Sequence, residues 1–131
     1  MLTHLSWTEG YRLLRVKDGQ PHTLFHGHHG SRKLRQDKRL RAVEKQAWNP
    51  GKRGKSAGFI SGWHVLPTKA ACVDYLKRFT AKDDIVVCRV TLAVPRYKPR
   101  SKVFLARYIK IDAVDWAIAL EEYGHVPSNT F

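Results

Sequence analysis

A chain of 131 residues that is 43% hydrophobic and holds four tryptophans can bury one core, which excludes wholesale disorder and leaves room for a single domain. No apolar run reaches the ~20 residues of a membrane span, and the opening "MLTHLSWTEGYRLLRV" lacks the basic start and long apolar stretch of a signal peptide. The formal net charge of +13 marks polyanions as the expected partners, without bearing on the fold.

Tyr11–Val16 and His22–His26 read as strands, joined across Asp18-Gly19, a hairpin pair. His26, His28 and His29 follow, interleaved with Gly27 and Gly30. Zinc needs three or four nitrogen or sulfur ligands at fixed geometry. The chain has no Cys-x-x-Cys and no His-x-x-x-His on a helix, so no metal site is expected and the histidines read as a turn. Histidines beside arginines also serve as phosphate donors.

From Arg32 to Lys55 there are ten cations (Arg32, Lys33, Arg35, Lys38, Arg39, Arg41, Lys45, Lys52, Arg53 and Lys55) against two acids, Asp37 and Glu44, so this segment carries +8 of the total. Asp37 is placed to cap a helix running to about Trp48, with Leu40, Val43 and Ala47 as its apolar stripe and the cations on the rest of its surface. Residues 49–58, with three glycines, a proline and three cations, read as a mobile basic loop.

Phe59–Leu66 has strand character. Pro67 and Thr68 start a helix to about Phe79, whose buried stripe is Ala71, Cys72, Tyr75, Leu76 and Phe79. In Ile85–Val94, Val86, Cys88, Val90, Leu92 and Val94 give one wholly apolar strand face. A second basic loop, "PRYKPRSK", adds Arg96, Lys98 and Arg100. Val103–Ile111 is the last strand, and Asp112 can cap a last helix ending at Gly124, with a loose tail over 125–131. The whole predicts one α+β domain over residues 1–131, with a mainly antiparallel sheet of about five strands and about three helices. Cys72 and Cys88 read as buried thiols of a cytosolic protein.

For chemistry, no Gly-x-Ser-x-Gly and no Walker loop is present, and no acid lies between Ile85 and Ile111 to serve as a general base. The expected activity is therefore binding. Arg32, Lys33, Arg35, Lys38, Arg39, Arg41, Lys45, Lys52, Arg53, Lys55, Arg96, Lys98 and Arg100 would contact the backbone of RNA or DNA, alone or in a ribonucleoprotein. Tyr97, Trp48 and Trp63 would stack on bases where exposed. An acidic protein surface, such as a DNA-mimicking host partner, would satisfy the same cations. No cofactor is expected on this reading.

Two resemblances add to it. "SGWHV", then an alanine and "YL" further on and a phenylalanine after them, ahead of a valine-rich strand, resembles small bacteriophage proteins. That implies a bacterial host cytoplasm and a part in host takeover or counter-defence. "LFHG" followed by "GWHVLPTKAACVDYL" resembles the layout of ADP-ribosyltransferases of the poly(ADP-ribose)-polymerase type. It implies NAD as cofactor, His26-Gly27 in the family's His-Gly position, His64 in place of the ring-stacking tyrosine, and Tyr75 loosely in the helix tyrosine position. The catalytic glutamate that family carries on a later strand has no counterpart in the acid-free sheet. RNA 2′-phosphotransferases are similar in outline and use histidine and arginine instead.

Overall fold

The computed structural model describes residues 6–24, 32–44, 46–50, 56–79, 83–99 and 101–124. The long strand β1 (Trp7–Lys17) turns at Asp18-Gly19 into β2 (Gln20–His22), with Lys17 opposite Gln20. Both turn residues have positive φ, 54° and 74°, as the primed hairpin turn demands, and glycine takes the second position without strain. On its other side β1 pairs antiparallel with the strand over Ile85–Tyr97, from Trp7 opposite Ala93 to Arg15 opposite Ile85. That strand in turn pairs with the one over Phe104–Lys110.

Three short strands precede these two along the chain, β3 (Leu40–Arg41), β4 (Gln46–Pro50) and β5 (Ser56–Ile60), and then β6 (Trp63–Val65). The long pair is accordingly β7 (Ile85–Tyr97) and β8 (Phe104–Lys110). β3 and β6 share the outer edge of β8, at Ile109–Tyr108 and at Ala106–Phe104. The Leu66 and Tyr11 backbones exchange two hydrogen bonds of 2.8 Å, so the edge beyond β6 meets β1 again and the sheet curls into a half-barrel. Inside the curl a Cβ on Gly10 would stand 2.4 Å from Val65 Cγ1 and 2.8 Å from Leu92 Cδ2, so that position has no room for a side chain. β4 and β5 form a separate two-stranded ladder.

The apolar alternation expected in Ile85–Val94 holds through Leu92, since Val86, Cys88, Val90 and Leu92 are all buried, but breaks at Val94, which is half-buried at φ 56° while its neighbour Ala93 is buried. The strand runs three residues further, through Pro95. Proline is tolerated there because the pairing with β1 stops at Ala93, so no ladder donor is missed on that side. Helix α2 (Ala113–Gly124) covers this face with Trp116 and Ala119, and Leu14, Ile109 and Ile111 complete the core. Trp116 Nε1 donates to Gly19 O, tying helix to hairpin. Under helix α1 (Lys69–Leu76) lies a second cluster of Leu13, Leu24, Leu66, Cys72, Ile85 and Val103. Thr68 caps α1 by accepting from Ala71 N, as its sequence position suggests.

The structure corrects the expected basic helix over 37–48. Leu40–Arg41 pairs with β8 and Gln46–Pro50 with β5, which leaves two helices among the described residues. The predicted stripe was only three residues, and one of them, Val43, is 63% exposed. The free edges of β8 and β5 offer backbone partners that so thin a helical face does not outweigh. Asp37 still caps a helix, but another one. At φ 59° its N–H donates to Ile111 O and its carboxylate accepts from Ala113 N, the first residue of α2. Asn49–Pro50 and Ser56–Gly58, expected within a loop, belong to the β4–β5 ladder, while 51–55 lie outside the described residues. The expected strand over Phe59–Leu66 is broken at Ser61-Gly62. α1 stops at Leu76, where Lys77 N turns back to Asp74 O, short of the expected Phe79. Of the strand expected over His22–His26 only His22 belongs to β2, Thr23 and Leu24 are outside any strand, and residues 25–26, like the tail over 125–131, lie outside the described residues.

Candidate functional site

The chain from Arg32 to Arg41 runs irregularly, turning at Gln36-Asp37 before it enters β3, and is tied down along its length. Thr23 N donates to Arg32 O, Arg32 N to Thr23 Oγ1, Leu34 N to Pro21 O and Asp37 N to Ile111 O, at 2.8–2.9 Å. Leu34 is turned into the core at 2% exposure, and Leu40 packs against it. With the apolar residues inward, Arg32, Lys33, Arg35, Lys38, Arg39 and Arg41 are all exposed. None of the six forms an ion pair among the described residues, and the one acid between them, Asp37, is committed to α2. Other acids pair with cations elsewhere: Glu9 and Asp115 with Arg89, Asp84 with Arg15, Glu122 with Lys69. The result is an unbalanced positive strip on a fixed backbone. Arg32 and Arg39 also lie over aromatic rings, 5.7 Å from Trp63 and 5.1 Å from Tyr108.

The second basic loop contributes less than its sequence suggests. Arg96 is bound to Glu44, which also accepts from Arg107 Nε at 3.2 Å, and the two guanidinium groups hold that carboxyl below its ordinary range. Lys98 Nζ lies 3.3 Å from His64 Nε2. Tyr97, at 79% exposed and 5.0 Å from the Phe104 ring, stays available for stacking. Trp63 does not: it is 7% exposed and its indole N–H donates to Leu40 O. Lys45, Lys52, Arg53, Lys55, Arg100 and His26, and the side chain of Trp48, lie outside the described residues.

Arg12 was not a sequence candidate, although a cation among the apolar residues of "YRLLRV" is its signal. Its guanidinium lies 5.2 Å from the Trp63 ring and Nη1 donates to His64 O at 2.8 Å. Around it, Leu13, Leu24, His64, Leu66, Tyr75 and Val103 line a cavity of about 40 Å³. His64 and Tyr75 thus share one site. A lysine only donates, so the Lys98 contact makes His64 Nε2 the acceptor. Burial, then Lys98 and Arg12, depress the His64 pKa to about 4.

This depression links folding to pH. The unfolded chain protonates the imidazole near 6.5 and the folded one only near 4, so stability is full above 6.5 and falls as pH drops through that window. Melting curves between those limits are expected to show a loss on the order of 2 kcal/mol, given incomplete burial, that His64→Gln removes. A wild-type profile as flat as the variant's would contradict the neutral imidazole.

Cys72 and Cys88 are both free and fully buried, and burial pushes both thiols up to about 12, so neither is a thiolate nucleophile at neutral pH. Among the described residues no group of three His, Cys, Asp or Glu side chains is placed to hold a metal ion, and no helix is long and apolar enough to cross a membrane. Comparison with family models, curated proteins and solved structures gave no match.

Proposed function

We propose that this protein binds nucleic acid through the phosphate backbone, along the cations from Arg32 to Arg41, as a small accessory protein of phage type. One observation carries the reading: six exposed cations, without acidic partners among the described residues, stand on a segment whose backbone is fixed before any ligand arrives. Preorganisation of this kind lowers the ordering cost of binding. Recognition is of charge and strand geometry. α2 has no cation and α1 is eight residues long, so neither helix offers a basic face to read a major groove. Exposed Tyr97 favours single strands, whose bases are free to stack. Two buried free thiols suit a reducing bacterial cytoplasm, and the phage-type resemblance suits host takeover or counter-defence.

The test is binding of labelled single-stranded RNA and duplex DNA across a salt series. Six phosphate contacts predict a slope of log K against log salt of about −4 on the single strand. A flat dependence would sink the reading, and binding of an acidic polypeptide as tight as that of the strands would move it to a protein partner. A second reading has one observation in its favour, the convergence of His64 and Tyr75 on one cavity. It is an ADP-ribosyltransferase-like nucleotide site, and NAD in a parallel arm would raise the melting temperature if it holds.

A further inference from the structure

Arg12 is 9% exposed, yet no carboxylate pairs with it among the described residues, and its buried Nε has no hydrogen-bond partner. An unpaired buried cation is costly unless something supplies the counter-charge. The nearby ionisable groups make the deficit larger. Lys98 stands at His64, and Arg32 lies over the same indole as Arg12. Burial lowers the Arg12 pKa only to about 10, so the guanidinium stays charged at neutral pH. The cavity it lines has about 40 Å³, room for roughly three waters. That suits one compact oxyanion and is too small for a base.

A wider cleft of about 510 Å³ shares Leu66, Tyr75 and Val103 with this cavity and adds Asp74, Arg78, Ser101 and Lys102. Its size is that of ordinary small-molecule sites. Arg78 lies 5.0 Å from the Tyr75 ring, so the shared wall is itself flanked by a cation.

We infer that Arg12 receives a single phosphate monoester in the inner cavity, with the nucleoside that carries it in the outer cleft. The phosphate comes from the end of a strand or from a free mononucleotide. The first source rests on the backbone-binding reading; the second stands without it.

The experiment compares RNA oligonucleotides of one sequence with 5′-phosphate, 3′-phosphate or hydroxyl ends at fixed salt. Inorganic phosphate and adenosine monophosphate are followed in parallel by thermal shift. A charge-assisted contact predicts about 10- to 100-fold tighter binding of one phosphorylated end. Arg12→Gln is expected to abolish that preference and to keep the salt slope of the hydroxyl-ended strand. Stabilisation by the mononucleotide, with no end preference, would support the same pocket with a free nucleotide as its ligand. Should Arg12→Gln not fold, Tyr75→Phe and the wild-type end preference carry the test. No end preference together with no thermal shift by phosphate or mononucleotide overturns the inference. A steep salt slope in that same experiment would leave the backbone reading standing, and a flat slope with a mononucleotide shift would do the reverse.

Discussion

Replacing Arg35, Lys38 and Arg41 together with glutamine is expected to weaken single-strand binding about 100-fold at about 0.1 M salt. Each lost phosphate contact takes about 0.7 from the salt slope, so three take about two units, and the release term vanishes near 1 M. These three are chosen because their side chains are exposed and make no ion pair among the described residues. Arg32 and Arg39 are left in place because each also lies over a ring. Arg41 belongs to β3, but its backbone makes the pairing with Tyr108. The melting temperature should hold or rise slightly as self-repulsion among like charges is relieved. Fluorescence anisotropy across the salt series reads both quantities. An unchanged slope would mean that this strip does not touch the backbone.

Trp63 and Tyr97 should separate cleanly into fold and function. Trp63→Ala is expected to cost about 3–5 kcal/mol of stability, the range for a large buried aromatic. Trp63 sits in the core cluster, holds Leu40 O with its indole N–H and carries Arg12 and Arg32 on its ring. Its loss therefore loosens β3, β6 and the arginine cavity together. Tyr97→Ala should leave stability nearly unchanged, since the ring is 79% exposed, and cost about 1–3 kcal/mol of single-strand affinity if a base stacks on it. Chemical denaturation and strand binding on both variants check the pair. A Trp63→Ala protein of wild-type stability would contradict the buried indole, and wild-type affinity in Tyr97→Ala would remove stacking from the reading.

Much of the sheet is written in short windows of the chain. The Asp18-Gly19 turn, the alternating apolar face of β7, the strand character of β8 and the Thr68 cap each depend on residues a few positions apart, and all four are found. The same holds for the positive segment, whose cations must find solvent or an anion whatever backbone carries them. Two buried thiols followed from apolar surroundings in the same way.

What those windows could not carry are partnerships across the fold. Asp37 was legible as a cap, yet the amide it satisfies is 76 positions away at Ala113. The predicted basic helix dissolved because β8, more than 60 residues later, offered Leu40 and Arg41 an open edge. Arg96 counts as a free cation until Glu44, 52 positions earlier, is found against it. Arg12 reads as one more strand residue until His64, also 52 positions off, and Trp63 enclose it. Charge, apolar patterning and local turns are properties of neighbouring residues and can be read along the chain. Which cations are neutralised, which are buried without a counter-ion among the described residues and which face water depends on the fold, because an ion pair or a ladder forms between groups that only the folded chain brings within a few ångströms.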